Sequence, residues 1–477
     1  MYRKRNREQV SIDDFIPPFG GKLLANNRWV KLAQVIPWDR IEGRYAKRFG
    51  KCGNAAYPLR VALGALIIKE KCGFSDEETV ENISENVYMQ YFIGYKEFRS
   101  GQPFVPSLMV EFRKRIDMAE IQKIIDEMDE ENRRDDPPQG RDENRGTLMI
   151  DATCAPSDIR YPTDLSLLNE GREKLESIID TLWKEHGSKQ SVKPRTYRQN
   201  ARKAFLTVEK QRKHRAKTIR KAIGKQLRFI RRDLGIVSRL REEGRTFEKL
   251  SARQYRNLLV TAEVYRQQLA MYENKTHRVE ERIVSISQPH VRPIVRGKAS
   301  AEVEFGAKIA VSRVKDCFRI ETLRWNSFNE GTELQAAIER YRQRYGWYPE
   351  AVLADKLYRN RDNLAFCKMH RIRLSGPRLG RPGPTAKEDR RIARMDGAAR
   401  NAIESPFGIG KRRYGLDRIM AKLRSTSETV IAMQFLLLNL DCRVRALACF
   451  LLRCLLRVRR SFSYTWPACG LFVILDC

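Results

Sequence analysis

Leu148-Met149-Ile150-Asp151 and Ala351-Val352-Leu353-Ala354-Asp355 are the two stretches that decide the reading of this chain. Each is a short apolar run closed by an aspartate. Runs of this length between polar neighbours predict buried strands. A carboxylate at a strand end is fixed by the sheet, so it can hold a cation in place. A third acid, Glu404, falls on a predicted helix in a basic setting, with Arg400 four residues before it and Lys411 seven after. Three carboxylates can share two divalent cations, which activate water and stabilise a leaving 3′ oxygen on a phosphodiester. Asp158 and Asp164 are rivals for the role of Asp151, and Asp362 for that of Asp355. Glu404 also has a plainer reading, as a surface residue paired with Arg400 one helical turn away.

Further elements surround these runs. Val303, Phe305, Ala307, Ile309 and Val311 alternate with polar or small residues, as do Phe318, Ile320 and Thr322. The short Val314-Lys315-Asp316 connection predicts a hairpin. A helical stretch, Glu330–Tyr345, precedes the run ending at Asp355. Strand, hairpin, helix, strand is the order of a ribonuclease-H-like core, an α/β fold with a mixed sheet. Its first and fourth strands lie side by side, which would bring Asp151 and Asp355 together. This catalytic unit is expected over 147–440. A helical insertion interrupts it at 165–282. Within it, Ile219, Ile223, Leu227, Ile230, Leu234 and Val237 form one stripe, and Tyr255, Leu258, Ala262, Tyr265, Leu269 and Tyr272 another. They predict an antiparallel helical hairpin. From Lys193 to Arg256 basic residues outnumber acidic ones by about four to one, which favours phosphate contact.

Residues 1–130 read as an N-terminal helical unit, helix-turn-helix-like and suited to DNA binding. Tyr57-Pro58 precedes one helix, Gly73 ends it, and Ser75 with Glu78 forms a capping box that opens the next. A further helix is expected from Ser107 through Phe112 to Arg115. Residues 131–146, with Pro137-Pro138, read as a linker. The Gly/Pro-rich basic segment Ser375–Lys387 reads as a loop. The tail, 441–477, is apolar, basic and rich in Cys.

Lys plus Arg is 92 and Asp plus Glu 59, a net charge of +33. Such an excess repels itself in a compact state, and a polyanionic partner relieves it. Nucleic acid is the first expectation, double-stranded DNA in particular, and an anionic membrane surface the second. The apolar runs Val430–Leu440 and Val444–Leu456 are too short and too charged to span a bilayer and read as buried helices. Ten Cys without CxxC or zinc spacing, and no signal peptide, fit reduced thiols in a cytoplasm. His290 reads as structural. No GxxxxGK[ST] motif occurs, so nucleotide hydrolysis is not expected.

The spacing Arg400-x3-Glu404-x6-Lys411 resembles the signature around the last acid of DDE transposases from bacterial insertion sequences. The run Glu404-Ser-Pro-Phe-Gly-Ile-Gly-Lys411 is similar to the version in the insertion-sequence-5 group, within the wider insertion-sequence-4-like superfamily. So are Gln288–Lys298, Val303–Lys308 and Val352–Tyr358. The resemblance implies DNA transposition. Asp151, Asp355 and Glu404 would hold two Mg²⁺ ions, with Mn²⁺ as a substitute. Arg400 and Lys411 would meet the DNA backbone, joined by Arg412 and Arg413. The N-terminal unit would bind terminal inverted repeats, and a homodimer would hold two ends at the nucleoid. The signature commonly has a Tyr three residues before the Arg; Gly397 stands there, and Tyr414 is the substitute to consider for DNA contact. A nuclease or resolvase that cuts without joining, or a transposase-derived DNA-binding protein, are the alternative functions.

Overall fold

The computed structural model describes residues 11–18, 20–50, 55–133, 143–184, 192–213, 215–298, 301–376 and 386–463. Seven helices open the chain: α1 (Arg28–Gln34), α2 (Trp38–Tyr45), α3 (Leu59–Cys72), α4 (Asp76–Glu85), α5 (Val87–Phe92), α6 (Leu108–Arg115) and α7 (Met118–Arg133). Helix α3 is apolar almost all round, and so it is buried among the others. Gly73 ends it in the left-handed region at φ 73. The capping box is present: Glu78 N–H donates to Ser75 Oγ, and Ser75 N–H donates to the Glu78 carboxylate. Helix α7 runs to Arg133, into the segment expected as linker, because Asp129 is held inside the protein. Arg319 is fully buried and donates to Asp126 at 2.8 Å, Asp129 at 2.7 Å and Tyr345 Oη at 3.2 Å.

The sheet contains β1 (Thr147–Pro156), β2 (Arg292–Lys298), β3 (Ala301–Val314), β4 (Cys317–Arg324), β5 (Ala351–Leu353) and β6 (Arg373–Leu374). Strand β1 is central. It pairs antiparallel with β3, Asp151 opposite Val311, and parallel with β5, Met149 opposite Leu353. Strand β6 lies outside β5. The other edge of β3 carries β2 along its first part and β4 along the rest. Two features differ from expectation. Strand β1 continues past Asp151, because Ala152, Thr153, Cys154 and Ala155 keep pairing with β3; the aspartate is inside the strand, not at its end. Strand β2 was not expected, since Pro293 and its Arg neighbours break any alternation. A proline is tolerated there because β2 is an edge strand.

Side-chain alternation divides the sheet. Leu148, Ile150, Val352 and Ala354 face a small core with α12 (Leu334–Tyr345) and α13 (Arg361–Met369). The opposite face joins a larger core that includes the N-terminal helices and the buried stretch Val430–Leu440. The N-terminal unit therefore shares its core with the sheet. That stretch belongs to α15 (Arg424–Ser463), which crosses residue 441 without a break. Beyond Val444 the helix leaves the core: Arg445, Ala446, Ala448 and Cys449 are exposed, so the second apolar run is not buried there as expected. Residues 464–477 and most of the Gly/Pro-rich loop, 377–385, lie outside the described residues.

The insertion comprises α8 (Asp164–Lys184), α9 (Arg198–Glu209), α10 (Ala216–Glu242) and α11 (Ala252–Glu273). Helices α10 and α11 both pack on α8 through Leu168, Leu175, Ile179, Leu227, Ile230, Leu240 and Leu258. The two expected stripes lie on consecutive helices that touch each other and also pack on α8, so the hairpin is part of a bundle. Among the described residues no helix is long and apolar enough to cross a membrane.

Candidate active site

The parallel register of β1 and β5 sets the first two acids. Met149 lies opposite Leu353, so Asp151 and Asp355 each follow by two residues on the same strand face. Asp355 caps the turn after β5, its Oδ1 accepting from Lys356 N–H at 2.6 Å. Ser375 steadies the residue before it, accepting from Ala354 N–H at 2.9 Å and donating to Ala354 O at 3.1 Å. Asp151 Oδ1 accepts from Ala152 N–H at 2.8 Å.

The third acid arrives on α14 (Ala386–Tyr414), which packs on β1 and β5. Ile403 and Phe407 are buried against the core and leave Glu404 exposed. Pro406 lies inside this helix and has no N–H for the carbonyl of Ala402. Arg313, from β3, donates its guanidinium to that carbonyl and so satisfies the vacancy. Near the start of α14, Arg373 pairs with Asp396 at 2.5 and 3.0 Å.

Arg400 lies one turn before Glu404 and links the acids. Its Nη1 is 3.4 Å from Asp355 Oδ1 and its Nη2 is 3.6 Å from Glu404 Oε1. Burial pushes the Asp151 carboxyl up to about 6; the Ala152 N–H and Arg400 pull it down, and Glu330 and Glu404 add to the rise. Among the described residues no three His, Cys, Asp or Glu side chains converge into a ready-made metal cluster. The guanidinium of Arg400 stands between Asp355 and Glu404 instead.

Two neighbours escaped the sequence reading. Glu330 sits on a 3₁₀ turn, Glu330–Glu333, after β4 and is paired with Lys308 at 3.0 Å. It was read only as the start of a helix, and nothing in its local pattern distinguishes it. Tyr358 is fully buried, and its hydroxyl has no hydrogen-bond partner among the described residues. Burial raises its pKa, and Glu330, Asp151 and Asp355 raise it further.

The rival acids are engaged elsewhere: Asp158 with Arg418 at 2.9 Å, and Asp164 with Arg282 at 2.6 Å. Asp362 lies in the first turn of α13. Arg412 and Arg413 are exposed and Lys411 half-exposed on the last turn of α14. Tyr414 is a correction. Its ring is buried and its hydroxyl bonds to Asp441, so it is part of the core and not a surface for DNA. Arg400 is half-buried and paired to both acids, and its pair with Glu404 is the plainer reading of that residue. His290 packs edge-on against Trp325 at 4.3 Å, and burial lowers its pKa to about 4, consistent with a structural role.

Two family models match the chain. Residues 352–441 match a transposase DDE domain, a range that includes Asp355, Arg400, Glu404 and Lys411. Residues 19–115 match a transposase domain, DUF772. Asp151 lies outside both. The chain is also similar to "Uncharacterized protein ORF8 in nfe locus" of Rhizobium meliloti, 32% identical over 138 residues. That match spans 29% of this chain and 66% of the relative, just under two thirds of its length. No solved structure matches.

Proposed function

We propose that the chain is a DDE transposase of an insertion sequence, a reading its matches to a transposase DDE domain and a second transposase domain support, and that it binds the terminal inverted repeats of its element, cuts DNA strands there and joins the freed 3′ ends to target DNA. The observation that supports this most is Arg400 held between Asp355 and Glu404, on a helix that packs against the paired strands carrying Asp151 and leading to Asp355. The strand order β4-β3-β1-β5-β6, with β1 and β5 parallel, supports a ribonuclease-H-like core. Membership of the insertion-sequence-5 group and an end-binding role for the N-terminal helices are parts of the same proposal.

The donor set fits Mg²⁺. Three carboxylates are hard oxygen ligands of the kind this ion takes. Asp151, Asp355 and Glu404 would hold the ions, which supply activated water and stabilise the leaving 3′ oxygen. Arg400 offsets the repulsion between Asp355 and Glu404, and Asp355 is oriented by the Lys356 N–H. Lys411, Arg412 and Arg413, at the end of the helix that carries Glu404, would meet phosphates. The working form would be a homodimer holding two ends in the cytoplasm.

The test is incubation of purified protein and Mg²⁺ with a plasmid carrying the gene and its native flanks, with Asp355→Ala alongside. Cuts at the flank boundaries and joined products are expected, both absent in the variant and without metal. Cuts without joined products would reduce the protein to a nuclease. Binding without cutting would remove the enzymatic reading altogether.

A further inference from the structure

Helix α10 carries nine Lys or Arg and two acids over its 27 residues. Of the acids, Asp233 is fully buried and Glu242 is the final residue. Leu227, Ile230, Val237 and Leu240 turn one side of α10 into the bundle. The outward side is left to Lys217, Lys221, Lys225, Arg228, Arg231 and Arg239, all exposed. Among the described residues none of these six has an ion-pair or hydrogen-bond partner. Elsewhere in the same bundle basic side chains are paired: Arg172 with Glu176, Arg198 with Asp180, Arg266 with Glu263 and Arg282 with Asp164. Among the described residues, exposed basic side chains without a partner also occur next to α10, at Arg202, Lys203, Arg212, Lys213 and Arg215, but the six on α10 form a continuous row along one helix face. Like charges three and four residues apart repel, so this row weakens the helix unless a polyanion covers it.

The face also narrows the partner. It offers no exposed apolar or aromatic side chain: Phe229 is half-buried with Arg232 stacked at 5.1 Å. Nothing there could insert into lipid or stack on the bases of a single strand. Lys217 to Arg239 spans roughly 33 Å at 1.5 Å per residue, close to one turn of duplex, about 34 Å. We infer that the outward face of α10 binds the sugar-phosphate backbone of duplex DNA over about one turn. This rests on the proposed function and adds to it a second DNA surface, outside the acidic site.

The test uses the full-length protein and the variant Lys221→Gln/Lys225→Gln/Arg228→Gln. Affinity for unrelated duplexes of about 30 base pairs is measured by anisotropy between about 50 and 200 mM salt. The log–log salt slope is expected to fall by about 3, at roughly 0.9 per lost phosphate contact. The affinity loss should be the same for every sequence, and the melting curve unchanged because all three residues are exposed. An unchanged slope, with wild-type binding intact, overturns the inference and leaves the transposase reading standing. A wild type that binds no duplex, its element's ends included, overturns both. A loss confined to single strands or to anionic phosphatidylserine vesicles overturns the duplex assignment.

Discussion

Replacement of Asp151 by Asn should make the metal-free protein more stable. Burial holds this carboxyl at about 6, against an ordinary value of 3.8. Between those values the folded state binds the proton and the unfolded state does not, so the contribution of Asp151 to stability falls as pH rises from about 4 to about 6. Above 6 the full penalty of a half-buried carboxylate beside Glu330 and Glu404 is present. A difference of about 2 in pKa corresponds to roughly 3 kcal/mol; partial exposure reduces this to about 1–3 kcal/mol. Asparagine removes the charge and keeps an oxygen for the Ala152 N–H. Urea unfolding in EDTA should show the variant more stable by that amount at pH 7.5, with the gap closing by pH 4. Mg²⁺ should then stabilise the wild type and not the variant, because the ion replaces the missing positive charge. A variant no more stable than wild type at pH 7.5 without metal, or a gap that widens toward pH 4, would refute the reasoning.

Three further outcomes follow from the structure. Arg319→Met should cost about 3–5 kcal/mol in urea unfolding, because buried Asp129 loses its guanidinium partner; a cost under about 1 kcal/mol would mean that the cluster does not brace α7 to the sheet. Gly306→Ala should cost about 1–3 kcal/mol or more, since its Cβ would lie 2.1 Å from Ala155 O and only backbone can move; a neutral effect on melting would contradict the close approach of β1 and β3. Tyr414→Phe should cost about 1–3 kcal/mol by leaving Asp441 short of a donor, with affinity for duplex DNA unchanged; weakened DNA binding at unchanged stability would return Tyr414 to the surface.

Sequence by itself determined the parts that depend on local pattern. The short apolar runs before Asp151 and Asp355 and the alternation from Val303 read as strands, and strands are found at all three. Pro58, Gly73, Ser75 and Glu78 mark helix ends by their own backbone chemistry, and α3 and α4 begin and end there. The pairing of Arg400 with Glu404 follows from helical spacing. Tertiary structure alone decided what depends on neighbours distant in the chain. Whether Asp151 ends its strand is set by how far β3 keeps pairing, not by the residues around it. Arg292–Lys298 is a strand only because β3 offers it an edge. Glu330 joins the acidic site through folding across the sheet, and no local spacing announces it; Tyr358 ends a run that the resemblance covers, but only the fold decides that it is buried. Tyr414, at the end of a basic run, is drawn inside because α15 brings Asp441 to its hydroxyl. Local pattern fixes which bonds the backbone makes within a segment, whereas burial and charge at one side chain are sums over everything packed around it.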